Sequence, residues 1–95
     1  MSVVTLRGRL ICADGNEADI VAGHLDRHVE LTRAESGCLR FSVEPTADPL
    51  VWMVSERFVD KHAFDSHQAR VRVSDWGRVT EGIMREYTID YGADS

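Results

Sequence analysis

Cysteine and proline are scarce in this 95-residue chain, with two of each. Two thiols cannot build the disulfide frameworks that staple small secreted domains. Cys12 and Cys38 also fall in stretches that read as strands, which does not suit a zinc site. With so few prolines and a charged fraction of 28%, disorder over most of the length is excluded. No apolar run approaches the roughly 20 residues that span a bilayer. Met1 to Arg9 lacks the basic start, apolar stretch and small-residue cleavage site of a secretory signal, so a cytoplasmic location is expected. Basic charge is also in short supply: 11 Lys and Arg stand against 16 Asp and Glu, a formal net charge of -5. A nucleic-acid binder would present a basic face, and an anionic membrane surface would select one too; neither partner is expected. The length fits one domain, residues 1–95, whose small core makes oligomerisation a natural source of extra stability.

What remains is a pattern of alternating periods. Val3–Cys12 reads as a strand with Val4, Leu6, Leu10 and Cys12 on one face, interrupted by Gly8 at a bulge or a close backbone approach. The turn Ala13-Asp14-Gly15-Asn16 follows. Glu17–Glu35 then reads as a helix with Val21, Leu25, His28, Val29 and Thr32 on one stripe, capped by Asp14 or Asn16. Gly37 ends it, at a position that favours left-handed backbone. Cys38–Glu44 is a second strand, with Leu39, Phe41 and Val43 on one face. Leu50–Phe58 is a third, with Trp52, Val54 and Phe58 on one face and Val51 and Met53 on the other. Both its faces look largely apolar, as in a strand covered on two sides. Asp60 caps a short helix to about His67. After a break, Ala69, Val73, Trp76, Thr80 and Ile83 recur at helical spacing. Glu86–Tyr91 is the last strand, and Gly92–Ser95 a tail.

The order β-α-β-β-α-β predicts an α+β, ferredoxin-like sandwich with a four-stranded antiparallel sheet and helices on one face. The first and third strands are then central. Cys12 and Cys38 are separated by the third strand, about 9–10 Å, so both thiols should be free. The uncovered sheet face calls for a second copy of the chain, packed sheet to sheet as a homodimer.

Glu35-Ser36-Gly37-Cys38-Leu39-Arg40-Phe41, then Glu56-Arg57-Phe58-Val59-Asp60 and Ala63-Phe64-Asp65-Ser66-His67, with Glu86-Tyr87 near the C-terminus, together resemble the antibiotic biosynthesis monooxygenase, or quinol monooxygenase-like, family. The likeness runs from Leu6 to about Tyr91. No single motif carries it; the ordered combination does. It implies a dimeric α+β barrel with a pocket between sheet and helices in each subunit, and in some members oxygenation of polycyclic phenols or quinols without flavin, haem or metal. Relatives include haem-degrading enzymes and proteins that act on a small signalling sugar derivative. The haem-degrading branch uses a first-strand Asn and a Trp–His pair. Here Val3–Cys12 holds no Asn, and His67 precedes Trp76, so haem degradation is not expected.

Cofactor-free oxygenation needs a base, hydrogen bonds to the resulting anion and a dry cavity. His67 is the first candidate base: its ordinary pKa suits proton transfer, and it matches the family's His after Ala-Phe. Its structural alternative is a histidine capping helix carbonyls or bonded to a neighbouring strand. Glu56, on an apolar strand face, either orients His67 or pairs with Arg7, Arg9 or Arg40. Trp52, Phe64, Trp76 and Tyr87 are candidate walls for a planar substrate, with ordinary core packing as the alternative, preferred for Phe64 and for Phe41. His24 and His28 stand four apart on the first helix, but two ligands do not define a metal site. His28 is instead a candidate for the pocket mouth. The expectation is thus an enzyme oxidising a small quinol or polyphenol, with no cofactor and no metal; the alternative is an isomerase or a small-molecule binding or detoxification module using the same pocket.

Overall fold

Alternation along the first strand decides which side of the sheet becomes the interior. In the computed structural model, which describes residues 2–92, β1 (Val4–Ile11) buries Val4, Leu6 and Leu10, and Cys12 just beyond it is buried too. β2 (Cys38–Pro45) and β3 (Val51–Phe58) form a hairpin, and β4 (Met84–Asp90) closes the sheet in the order β2-β3-β1-β4, every pair antiparallel. The expected central and edge strands are therefore the observed ones. All but Gly92 of the expected tail lies outside the described residues. Both cysteines are free thiols.

Three helices pack on one face. α1 (Gly15–Arg33) begins at Asp14, whose carboxylate accepts from Glu17 N at 3.0 Å while Glu17 reaches back to Ala13 N at 2.7 Å. This reciprocal arrangement satisfies amides that the first helical turn leaves open. α2 (Lys61–Arg72) is capped by Asp60, which accepts from Ala63 N at 2.8 Å. α3 (Asp75–Val79) is capped by Ser74 through Gly77 N at 3.1 Å. Val21, Phe64 and Trp76 from the three helices meet Phe41, Val54 and Phe58 from the sheet.

Several local expectations are corrected. The second helix runs past His67 to Arg72, because no residue stops it before Ser74 starts the next turn. Val73, expected on the buried stripe, caps α2 and is 86% exposed. A register irregularity between Cys38 and Arg40 breaks the alternation of β2, so Leu39 is exposed instead of sharing the face of Phe41 and Val43. Gly37 is not left-handed; Gly92 is the one positive-φ residue among those described. Glycine is needed at 37 for space, since a Cβ there would overlap the methyl of Ala63 on α2. Gly8 marks a close approach, not a bulge: Tyr87 lies across it from β4, and a Cβ would stand 2.7 Å from the Tyr87 ring. The outer row of β3 is mixed. Val51 is partly buried, Met53 is 53% exposed, and Ser55 and Arg57 follow them.

Candidate functional site

The interior between sheet and helices holds more titratable chemistry than a core this small needs. Positions 28 and 32 fall on one face of α1, and Glu35 follows in the turn after the helix. Positions 64, 67 and 70 fall on the opposing face of α2. Together with Phe41, Glu56 and Phe58 from the sheet, they enclose His67, which is 2% exposed. Its ring centroid lies 4.8 Å from that of Phe58, 5.7 Å from Phe41 and 6.2 Å from His28.

His67 stands between two carboxylates. Nδ1 lies 2.9 Å from Glu35 Oε1, and an acceptor-only carboxylate there requires the imidazole to donate from Nδ1. Nε2 faces Glu56 Oε1 across 3.8 Å, too long for a hydrogen bond. Glu35 is itself clamped by Arg70, whose Nε donates to Oε2 at 2.5 Å and whose Nη2 donates to Thr32 Oγ1 at 2.9 Å. The buried Glu56 Oε1 has no hydrogen-bond partner.

These surroundings move the proton affinities. Burial, then the charge of Glu35, pushes Glu56 from 4.5 up to about 7. Burial lowers His67, opposed by the neighbouring Glu35 charge and its hydrogen bond. Burial, with His67, Arg70 and Arg85 adding positive charge nearby, lowers His28 from 6.5 to about 3, so it is neutral at working pH. Glu56 thus holds its proton up to about neutrality, while the His67 imidazole facing it gives up its proton more readily than a free one.

The aromatic candidates divide. His28 stacks on Trp76 with centroids 4.5 Å apart and planes 3° from parallel, and meets Phe41 edge-on at 5.2 Å. Phe64 packs edge-on against Phe58 and Tyr91. Tyr87 and Ile89, on the helix-facing row of β4, are each over a third exposed, so this end of the interior is open. Even so, protein around the Tyr87 phenol raises its pKa by burial, with Arg85 opposing and Glu56 adding to the rise. Trp52 is not brought to His67. It is cross-strand from Leu10 and Pro45, four residues and roughly 13 Å along β3 from Glu56. Its indole N–H favours the Cys12 thiolate slightly but makes no full hydrogen bond.

The expected pairing of Glu56 with Arg7, Arg9 or Arg40 is overturned. Glu56 faces the helices, whereas Arg7 and Arg9 lie on the opposite face of β1 and Arg40 is cross-strand from Arg57 on that same outer face. Arg9 instead pairs with Glu86. His24 Nδ1 bonds to Ile20 O at 2.9 Å, within its own helix. Among the described residues no group of three His, Cys, Asp or Glu is arranged to hold a metal ion. Glu35 and Arg70 are the site residues that sequence reasoning missed. One signal was available: an acid just past a helix C-terminus opposes the helix dipole, and a misfit of that kind points to a partner elsewhere in the fold.

Two clefts reach this cluster from outside. One, of about 540 Å³, opens between residues 35–37 and α2 and is lined by Glu35, Phe58, His67 and Arg70. The other, of about 440 Å³, opens between α1 and the α2–α3 corner and is lined by His28, Arg70 and Trp76.

The family profile for antibiotic biosynthesis monooxygenase matches residues 5–78. The chain belongs to the antibiotic biosynthesis monooxygenase family. Its fold is shared with Rv0793 from Mycobacterium tuberculosis, at 22% identity and a TM-score of 0.75, covering 99% of this chain and 98% of that one. PA3566 from Pseudomonas aeruginosa gives 24% identity and a TM-score of 0.74, covering 95% and 91%. SnoaB, a cofactor-independent oxygenase from Streptomyces nogalater, gives a TM-score of 0.79 at 12% identity, covering 100% and 97%. At these identities the likeness is one of fold. A search of curated protein sequences finds no match. No helix of the described residues is long and apolar enough to cross a membrane.

Proposed function

We propose that this family member is a cofactor-independent monooxygenase acting on a small quinol or polyphenol, bound on the helix-facing side of β4 beside Tyr87 and above Glu56. The observation that supports this most is Glu56: a buried carboxyl with an unpartnered oxygen and a pKa near 7, 3.8 Å from a histidine. A base poised near working pH is what deprotonation of a phenol requires. The roles read from the sequence shift accordingly. Glu56 takes the proton at the open end, His67 stands behind it, and Glu35, not Glu56, orients His67.

In this reading the phenol O–H proton passes to Glu56, and the electron-rich ring carbon adds dioxygen. The resulting peroxide is protonated. Loss of the proton on that carbon then breaks the O–O bond. One oxygen stays as a carbonyl and the other leaves as water, so phenol and dioxygen balance quinone and water. Tyr87 and Phe64 would wall the substrate, with His28 and Trp76 as a stacked support deeper in. Trp52 belongs to this proposal only as a wall of the far end. A cytoplasmic location and a sheet-to-sheet homodimer are part of the same proposal.

The pair also suits a second reading. A carboxyl and an imidazole 3.8 Å apart, able to exchange a proton once they close to hydrogen-bond distance, would serve an enolising isomerase equally well. Incubation of the protein with a panel of hydroquinones in air and under nitrogen separates the two. Oxygenation predicts dioxygen-dependent product above autoxidation, reduced roughly 10²-fold or more by Glu56→Gln and by His67→Ala. Consumption that never exceeds autoxidation, or that is indifferent to both substitutions, refutes it; turnover that proceeds equally under nitrogen favours the isomerase.

A further inference from the structure

We propose that Glu56, His67 and Glu35 form a proton relay through the core, carrying the substrate's proton from the open face beside Tyr87 to solvent in the cleft on the other side, with Glu35 as the positioning and release residue. The inference rests on the oxygenase reading for its substrate end but on geometry for its path. Glu56 is 6% exposed and points an unpartnered oxygen at His67 Nε2. Nδ1 of the same ring donates to Glu35. The Glu35 side chain, 21% exposed, lines the cleft between residues 35–37 and α2. Once the Glu56 carboxyl swings in from 3.8 Å to hydrogen-bond distance, a proton entering at Nε2 can leave from Nδ1, so the imidazole conducts without turning over.

The groups around the ring support that direction. Glu56, from β3, faces Nε2 across 3.8 Å, and Glu35, from the turn after α1, favours a proton on His67. Arg70, on its own helix, opposes one, while His28 from α1 is neutral at working pH. A proton arriving on the imidazole is thus held only in passing. Arg70, fixed to both Glu35 and Thr32, keeps Glu35 in line with Nδ1. The relay releases the phenol proton to the cleft while dioxygen adds to the anion, and a proton taken up along the same path then reaches the peroxide, so no proton is consumed overall.

Two experiments on the intact protein test this. The first does not depend on activity. Nitrogen-15 spectra of the histidine side chains should show neutral His67 carrying its proton on Nδ1; a proton on Nε2 breaks the path and overturns the proposal, whatever the enzyme does. The second uses hydroquinone oxidation. Glu35→Gln should lower kcat by roughly 10²-fold with KM little changed. Glu35→Ala should regain rate as imidazole or acetate is added, because the cleft admits a small buffer, and Glu35→Asp should retain most of the activity. A Glu35→Gln variant within twofold of wild type across pH 6–8, or an Ala variant that folds but gains nothing from buffer, overturns the relay while leaving the oxygenase intact. Absence of turnover in the wild type instead removes the oxygenase reading, and the tautomer still decides the relay.

Discussion

Glu56 and His28 pull the pH dependence of stability in opposite directions, and replacing either should expose the other. Glu56 has a folded pKa raised from 4.5 to about 7. The folded chain therefore binds its proton more tightly than the unfolded chain does. The cost of burying Glu56 is absent below 4.5, grows as pH rises and is complete above 7. His28 is lowered from 6.5 to about 3. Its contribution is complete above 6.5 and is lost as pH falls toward 3; His67, also lowered, acts in the same direction. Between pH 5 and 6.5 the Glu56 gain on acidification offsets one histidine's loss, each worth at most about 1.4 kcal/mol per pH unit. Glu56→Gln keeps the shape and abolishes the titration. Relative to wild type it should be more stable at pH 8, and that advantage should shrink by about 2.5 kcal/mol on going to pH 5, a relative change of roughly 10–20 °C in Tm for a domain of this size. Urea unfolding at half-unit pH steps reads the difference directly through the midpoint at constant slope. His28→Phe preserves an aromatic face for Trp76 and should do the reverse, gaining on wild type as pH falls. A wild type to Glu56→Gln difference that stays constant within about 0.5 kcal/mol from pH 5 to 8 would mean that Glu56 is solvated and that its proposed basicity is wrong.

Other consequences follow from single contacts. Gly37→Ala should cost about 1–3 kcal/mol in chemical denaturation, since its new methyl meets Ala63 and not open space. A neutral result would show that the 35–37 turn can yield. Asp60→Ala should cost about 1 kcal/mol through the lost cap on Ala63 N, and Asp60→Asn should recover most of it. Arg70→Met removes a positive neighbour of His67, so the His67 pKa should rise in an NMR titration; a fall would mean that Glu35 moves away once its clamp is gone.

Much of the architecture was legible because strand and helix periods are local. Val4, Leu6 and Leu10 share a face whatever they pack against, and the order of periods fixed which strands are central. The misreadings sit where one residue breaks a period for a non-local reason. Leu39 leaves the face of Phe41 because the β2–β3 register slips at its position. Val73 fits a helical stripe, yet Ser74 captures the backbone and starts a new helix. The site was half legible. Glu56, on an apolar strand, and His67, after an apolar pair on α2, each advertise an odd residue type in a buried pattern. Their companions do not. Glu35 and Arg70 stand 35 residues apart, and only the packing of the turn after α1 against α2 joins them. The arginines of the neighbouring strands are near Glu56 along the sheet, but the pleat turns Arg7, Arg9 and Arg40 to the opposite face.

The outer sheet face offers the last prediction, and its pattern says how a second copy would be held. Across β3, β1 and β4 the outward residues Val51, Ile11 and Met84 are cross-strand neighbours, and Met53 lies two residues along from Val51. Met53 and Met84 are 53% and 61% exposed. Toward the other end of the same face, Arg7, Arg40 and Arg57 replace the apolar side chains. A copy packing sheet to sheet would bury the apolar end, and a two-fold axis would use every contact twice. Fully burying a methionine side chain is worth about 1.5–3 kcal/mol, and Met53 has about half its surface left to bury, so losing it on both copies amounts to roughly 1.5–3 kcal/mol, or a 10- to 10²-fold weaker dimer. Met53→Lys adds repulsion to that loss. Sedimentation velocity at micromolar concentration should therefore show dimers for the wild type and single chains for Met53→Lys, whereas Arg57→Ser, at the polar end, should stay dimeric. If the wild type sediments as one chain, the methionines are simply wet, and the free energy that stabilises so small a core must come from within the single sheet and its three helices.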